Sequence, residues 1–231
     1  MKRQLGILTL DGKMADVPGC MACTDTFPYP VLRHVVSGTT TPFDQASALA
    51  MLPAYRDGAQ ALERAGVDVI TANCGLIAMI QQELSAAVRV PVVTSALLMV
   101  PQVSRLVGGK PVGVLTFFPD AVDERNFQAC GWSAKDYPVV VRGVGNHESW
   151  LRFLRDKEIG DLDRPAMRDD LARTLAELTD AGVAAIVCEC TMVPAVLDEL
   201  RPELNVPVYD VLTLLDWTMS GFGRPAGAGQ P

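Results

Sequence analysis

The residues in this chain with the most chemistry to offer are its six cysteines, at positions 20, 23, 74, 130, 188 and 190. A free thiol titrates near pH 8.5, so a modest shift in either direction makes it a base or an acid near neutrality. Two of the six occupy matching places. Gly66-Val-Asp-Val-Ile-Thr-Ala-Asn-Cys74 aligns without a gap on Gly182-Val-Ala-Ala-Ile-Val-Cys-Glu-Cys190, an offset of 116 residues. The same offset carries Glu83-Leu84 onto Glu199-Leu200 and Val90-Pro91-Val92 onto Val206-Pro207-Val208. Two equivalent thiols facing one carbon from opposite sides suit proton transfer, in which one removes a proton and the other returns one. Reacting atoms about 3–3.5 Å from that carbon would leave the sulfurs roughly 6–7 Å apart. The plainer alternative is a pair of core cysteines preserved by duplication, because a free cysteine packs as a small hydrophobe.

The elements that must position these thiols follow from the same repeat. Gly6-Ile-Leu-Thr9 echoes Gly113-Val-Leu-Thr116 at an offset of 107, so the halves differ in loop length before the cysteines. Short β-branched and leucine runs at 4–10 and 111–116 read as buried parallel strands. Thr41-Pro42-Phe43-Asp44 reads as a helix start, with Thr41 as cap and Pro42 in the first turn. That helix runs to about Arg64 and stops at Gly66; Asp163 and Pro165 open its counterpart, which stops at Gly182. Strands at 67–73 and 183–189 follow, and both cysteines fall where these strands end. A further helix, a strand (91–94 and 206–209) and a last helix complete each half. Such alternation implies an α/β fold of two pseudo-symmetric domains, each a parallel sheet flanked by helices, with the active site in the cleft between them. The expected boundaries are 1–105, with the C-terminal helix packing partly on this half, 106–220, and a flexible Gly/Pro/Ala tail at 221–231.

Ligands of open parallel sheets bind at the carboxyl ends of the strands, where helix starts present unpaired N–H groups to a thiolate, carboxylate or enolate. The candidate substrate-binding residues there are Thr9 and Asp11 after the first strand, Asn73 and Gly75 around Cys74, Thr116, Thr191 beside Cys190, and Tyr29 in the loop 11–40. Thr26 is a weaker candidate in that loop. Cys20-Met-Ala-Cys23 lacks the second ligand pair that zinc requires, and neither a metal nor a redox role is expected for it. Gly143-Val-Gly145 lacks the third glycine of a dinucleotide fingerprint. Cys188 and Cys130 read as packed, Glu189 as a supporting residue, His34 as a surface residue and Asp210 as a helix cap. His147 is isolated, in a loop that can approach the cleft.

Composition narrows the function. A net charge of −7 with a pI near 4.8 argues against nucleic acid. No apolar run approaches the roughly 20 residues that span a bilayer, and the first residues enter a strand without a signal-peptide core. A cytoplasmic enzyme acting on a small carboxylate is the expectation.

Gly6-Ile-Leu-Thr-Leu-Asp11, Thr71-Ala-Asn-Cys-Gly75, Gly113-Val-Leu-Thr116, Glu189-Cys-Thr-Met-Val-Pro194 and Pro207-Val-Tyr-Asp210 together resemble the aspartate/glutamate racemase superfamily over nearly the whole chain. The resemblance implies a two-cysteine, cofactor-independent enzyme, without metal, that is a homodimer or larger. Cys74-Gly75-Leu76 departs from the Cys-Asn-Thr of amino-acid racemases, and Met192 stands where many glutamate racemases have His. Asn-Cys-Gly, Glu-Cys-Thr, Pro18-Gly19 and Tyr29-Pro30-Val31 are also similar to the algal dimethylsulfoniopropionate lyases of the superfamily. Arylmalonate decarboxylases keep only the second cysteine, so Cys74 counts against that activity. The leading expectation is a racemase or isomerase using Cys74 and Cys190; the alternatives are a lyase by the same proton abstraction and a non-catalytic binding protein.

Overall fold

The computed structural model describes residues 3–42, 44–156 and 163–222. Its first half runs β1 (Leu5–Leu10), β2 (Val31–Val36), α1 (Gln45–Arg64), β3 (Val69–Ala72), α2 (Gln81–Ala87), β4 (Val92–Val93) and α3 (Val100–Leu106). The second runs β5 (Val112–Thr116), α4 (Glu124–Ala129), β6 (Val139–Gly143), α5 (Glu148–Asp156), α6 (Arg164–Asp180), β7 (Ala185–Cys188), α7 (Pro194–Leu197), β8 (Val208–Asp210) and α8 (Val211–Ser220). Each half forms a four-stranded, wholly parallel sheet, ordered β2-β1-β3-β4 and β6-β5-β7-β8. The matching orders and registers (Leu5 opposite Val69, Val112 opposite Ala185) are the three-dimensional form of the sequence repeat.

Every residue of β1, β3, β5 and β7 is buried, as a parallel sheet covered on both faces demands. One face of each sheet lies under its own long helix. Tyr55, Ala59 and Leu62 of α1 pack on Leu8 and Ile70, while Leu171, Leu175 and Leu178 of α6 pack on Leu115 and Ile186. The opposite faces share one core that joins the halves, in which Leu5, Ile7 and Val69 meet Val112, Val114 and Val187. The last helix of each half crosses over: α3 packs on β5 and β7, and α8 packs on β4. Arg3 extends that joint, donating to the Phe222 carbonyl at 3.2 Å and lying 4.8 Å from its ring centre. Apolar area shared across the halves fixes their mutual placement, and with it the cleft.

Local chemistry explains the helix ends. The cap of α1 is Asp44, which accepts from the Ser47 amide at 2.7 Å; the helix starts at Gln45, past the Thr41 and Pro42 that the sequence suggested. A carboxylate accepts from the first-turn amides and opposes the helix dipole, so Asp44 outcompetes the threonine. Asp163 caps α6, and Gly66 and Gly182 end the two long helices with φ of 87° and 80°. Three further differences concern the strands and short helices. Residues 31–36 form strand β2 within a stretch that reads as loop, the final strand of the second half sits at 208–210, and the helix after Cys190 is a single turn. Edge strand β2 hides its period because only Val36 of its six residues is buried. Of the expected tail, residues 223–231 lie outside the described residues.

Candidate active site

At the carboxyl ends of the strands the two halves enclose a cavity of about 130 Å³. Cys74 and Cys190 both line it, one from each half. Cys74 follows β3 and immediately precedes a 3-10 segment, Gly75–Ile80, so it stands at the amide-rich start of a helical turn. Cys190 follows β7, and the N–H groups of Met192 and Val193 favour its thiolate. Burial outweighs them, pushing the Cys190 thiol well above its ordinary range, with the Glu189 carboxylate adding to the rise. Cys190 by itself is therefore held as a thiol. Cys74 is more accessible, and the fully buried Tyr55 of α1 lies close enough that a Cys74 thiolate disfavours ionisation of the phenol.

The cavity also receives Asn73, Gly75, Thr116 and Thr191. Their polar groups are largely committed to the protein. Thr191 donates its hydroxyl to the Asn73 carbonyl at 2.7 Å, tying the two cysteine loops together across the cleft. Thr116 donates to Oε2 of Glu189 at 2.7 Å. Asn73 accepts from the Leu10 amide through Oδ1 and donates to the Met14 sulfur through Nδ2. A hydroxyl has one proton to give, so Thr116 and Thr191 hold the walls in place while their donors stay within the protein.

Three expected contacts do not reach the cavity. Thr9 donates to the His34 carbonyl at 3.3 Å, because alternation along β1 turns it away while its neighbour Leu10 enters the lining. Asp11 is exposed and accepts from the Gly38 amide at 2.7 Å, closing the connection after β2. Tyr29 sits in a separate surface depression with Asp216 and Arg201, and its phenol is pushed up by burial and by Asp216. Thr26 spends its hydroxyl on the Cys20 carbonyl at 2.8 Å. His147 is engaged by Thr174 (3.2 Å) and Asp170 (3.4 Å) under α6, outside the lining.

Several further lining residues are brought in by loops. Met14, Ala15, Cys20, Met21 and Ala22 come from the connection after β1, and Phe117 and Phe118 from the one after β5. Cys20, in the Cys20-Met-Ala-Cys23 element, approaches the Met192 carbonyl at 3.8 Å, and burial pushes its thiol up to about 12. Among the described residues there is no group of three or more His, Cys, Asp or Glu arranged to hold a metal ion. Cys188 is fully buried beneath the site and its thiol is pushed up by burial; Cys130 is pushed up to about 12 by the same cause.

Asp210 caps α8, accepting from the Thr213 amide at 2.8 Å, and pairs with Arg201 while nearly buried. It lies outside the cysteine cavity. Asp210→Ala is therefore expected to cost about 2 kcal/mol of stability in urea denaturation, from the lost cap and the stranded Arg201, while kcat stays within about twofold.

A model of Asp/Glu/Hydantoin racemase matches residues 31–217. The chain belongs to that family. Among curated proteins it is 27% identical over 229 residues to a dimethylsulfoniopropionate lyase of Durusdinium sp. clade D, a match covering 94% of this chain and 74% of the relative. It is 26% identical over 183 residues to dimethylsulfoniopropionate lyase 5 of Emiliania huxleyi, covering 71% of this chain and only 35% of that longer protein. Among solved structures, a mutant of arylmalonate decarboxylase in a sulfate-associated form superposes with a TM-score of 0.63 at 19% identity, covering 98% of this chain and 97% of that one. An aspartate racemase homologue from Pyrococcus horikoshii OT3 gives 0.59 at 16% identity, covering 95% and 100%. These structures share the two-sheet fold. No helix among the described residues is long and apolar enough to cross a membrane.

Proposed function

We propose that this family member is a lyase that needs no cofactor: it removes the proton α to the carboxylate of a small monocarboxylic acid, and a β-substituent then leaves. The observation that carries the α-proton abstraction is the placement of Cys74 and Cys190 on opposite halves of one small, largely apolar cavity. In such a site the acid and base are held at the reacting carbon and water is excluded. The lyase outcome draws support from the curated relatives, which are named dimethylsulfoniopropionate lyases. With that substrate class, Cys190 as thiolate takes the Cα proton and the C–H electron pair becomes the Cα–Cβ double bond. The Cβ–S bond breaks with its pair on sulfur, giving dimethyl sulfide and acrylate. The Met192 and Val193 amides, with the positive charge of a bound sulfonium, favour the thiolate that burial disfavours.

A second reading, racemisation, is favoured by the retention of a cysteine in each half. The two separate in one experiment. Incubation with dimethylsulfoniopropionate and a panel of α-substituted acids in D₂O is expected to release dimethyl sulfide and acrylate from the former. Recovered acids deuterated at the α-carbon without an unsaturated product would establish racemisation instead. Neither product nor deuterium across the panel would sink both.

A further inference from the structure

Glu189 stands between Cys188 and Cys190 in the sequence and is 2% exposed. Its carboxyl sits at the cavity wall with Oε2 held by Thr116, while Oε1 is buried without a hydrogen-bond partner. A structural carboxylate in so dry a place would be paired with a cation or fully hydrogen-bonded. Neither holds here. Burial pushes the group up to about 7, so a nearby positive charge is enough to ionise it at neutral pH.

The surroundings point to one kind of charge. Among the described residues lining the cavity there is no Lys, Arg or His, and Glu189 contributes the one carboxyl. Phe117 and Phe118 share the wall with Met14, Met21 and Met192; the two rings are 4.6 Å apart, edge to face. Aromatic and thioether walls beside a carboxylate suit a cation that has no N–H to donate, because ring faces and soft sulfur attract charge without asking for hydrogen bonds. Oε1 is covered by Gly75, so a ligand feels the carboxylate as an unscreened field and not through a direct hydrogen bond.

We propose that Glu189 is the specificity-determining residue of this site: with the Phe117–Phe118 wall it selects zwitterionic monocarboxylates carrying a sulfonium or quaternary ammonium group, and its charge rejects dicarboxylates. The inference rests on the lyase reading for the position of the reacting carbon, and it adds the residue that recognises the far end of the substrate. The charge of Glu189 disfavours the thiolates of Cys130, Cys188 and Cys190, and the Cys74 thiol lines the same cavity. A ligand cation lowers the energy of the carboxylate and of these thiolates together.

Binding separates this from catalysis. Calorimetric titration of a Cys190→Ser background, in which turnover is suppressed, would use dimethylsulfoniopropionate, its isostere 4-methylpentanoate, in which an uncharged CH replaces the sulfonium, and glutarate. The sulfonium ligand is expected to bind at least tenfold tighter than the isostere at pH 8, with glutarate unbound. That preference should shrink severalfold between pH 8 and pH 6 as Glu189 takes up its proton. Adding Glu189→Gln, which keeps the shape and an oxygen for Thr116, should remove the preference while changing 4-methylpentanoate affinity less than threefold. A preference that survives Glu189→Gln, or that ignores pH, overturns the proposal. If the Gln variant does not fold, the pH series on the background chain decides alone. Turnover of the unmodified chain is scored separately, so a Glu189-dependent preference without dimethyl sulfide release defeats the lyase reading and leaves the recognition residue standing.

Discussion

Cys190→Ala is expected to lower kcat by about 10³-fold while KM moves less than threefold. A positioned acid or base contributes roughly 10²–10⁴-fold, and each factor of ten corresponds to about 1.36 kcal/mol of barrier. Cys190 combines burial with two amides that favour its thiolate, so alanine removes the proposed base and puts no substitute there. Stability should change little, because the lost sulfur faces an existing cavity and opens no new one. The companion variant is the more informative. Racemisation needs a proton returned from the opposite face, so Cys74→Ala would then be as damaging as Cys190→Ala. Elimination needs none, because the carbanion collapses by expelling a neutral sulfide. Under the lyase reading Cys74→Ala should retain about a tenth of kcat. Steady-state assays of both variants, with α-deuteration followed by NMR, measure this directly. Equal losses of about 10³-fold would favour the racemase, and a Cys190→Ala variant of near-normal rate would remove Cys190 from the chemistry.

The second large effect comes from a glycine. A Cβ placed on Gly75 would lie 2.3 Å from Oε1 of Glu189 and 2.5 Å from its carbonyl oxygen, far inside van der Waals contact. The backbone carbonyl cannot move without shifting the β7 end that carries Cys190. Gly75→Asn, which introduces the residue of the Cys-Asn-Thr pattern from which this chain departs, is therefore expected to cut kcat/KM at least 100-fold. Overpacking of this kind costs about 1–3 kcal/mol of stability, so the chain should still fold at room temperature. The double variant Gly75→Asn with Glu189→Ala is expected to recover part of the stability, since half of the clash is gone, and none of the sulfonium preference. Denaturation midpoints together with kcat/KM on the four chains of that cycle supply the measurement. If Gly75→Asn alone is as active as the parent, the close packing of the two loops has no bearing on the site.

Much of this arrangement is legible along the chain. The 116-residue repeat places Cys74 and Cys190 at equivalent strand ends, because a duplicated unit keeps its strand-end geometry whatever its loops do. Hydrophobic runs at 4–10, 67–73, 111–116 and 183–189 locate the four central strands, whose residues are buried on both faces and so show as near-continuous apolar stretches, interrupted within the strands only by threonine. Gly66 and Gly182 announce helix ends because a positive φ is a local requirement. Edge strand β2 is missed for the opposite reason: half-covered, with Arg33 and Val35 exposed, it lacks the pattern that reveals a strand.

The long-range features come from packing between distant segments, and no local pattern encodes them. Thr9 and Thr116 are equivalent in the repeat, yet one donates to a neighbouring strand and the other to Glu189 at the cavity wall. Tyr29 belongs to the Tyr29-Pro30-Val31 element that resembles the algal lyases, yet it ends in another depression, because its loop folds toward α8. Glu189 reads as a supporting residue beside Cys190; only the fold shows that Gly75, from the other half of the chain, closes over one of its oxygens and leaves it without a partner. The chemistry of the thiols is thus written locally, in residue type and strand-end position. Whether a carboxyl beside them is paired, solvated or dry depends on where the other half of the molecule comes to rest.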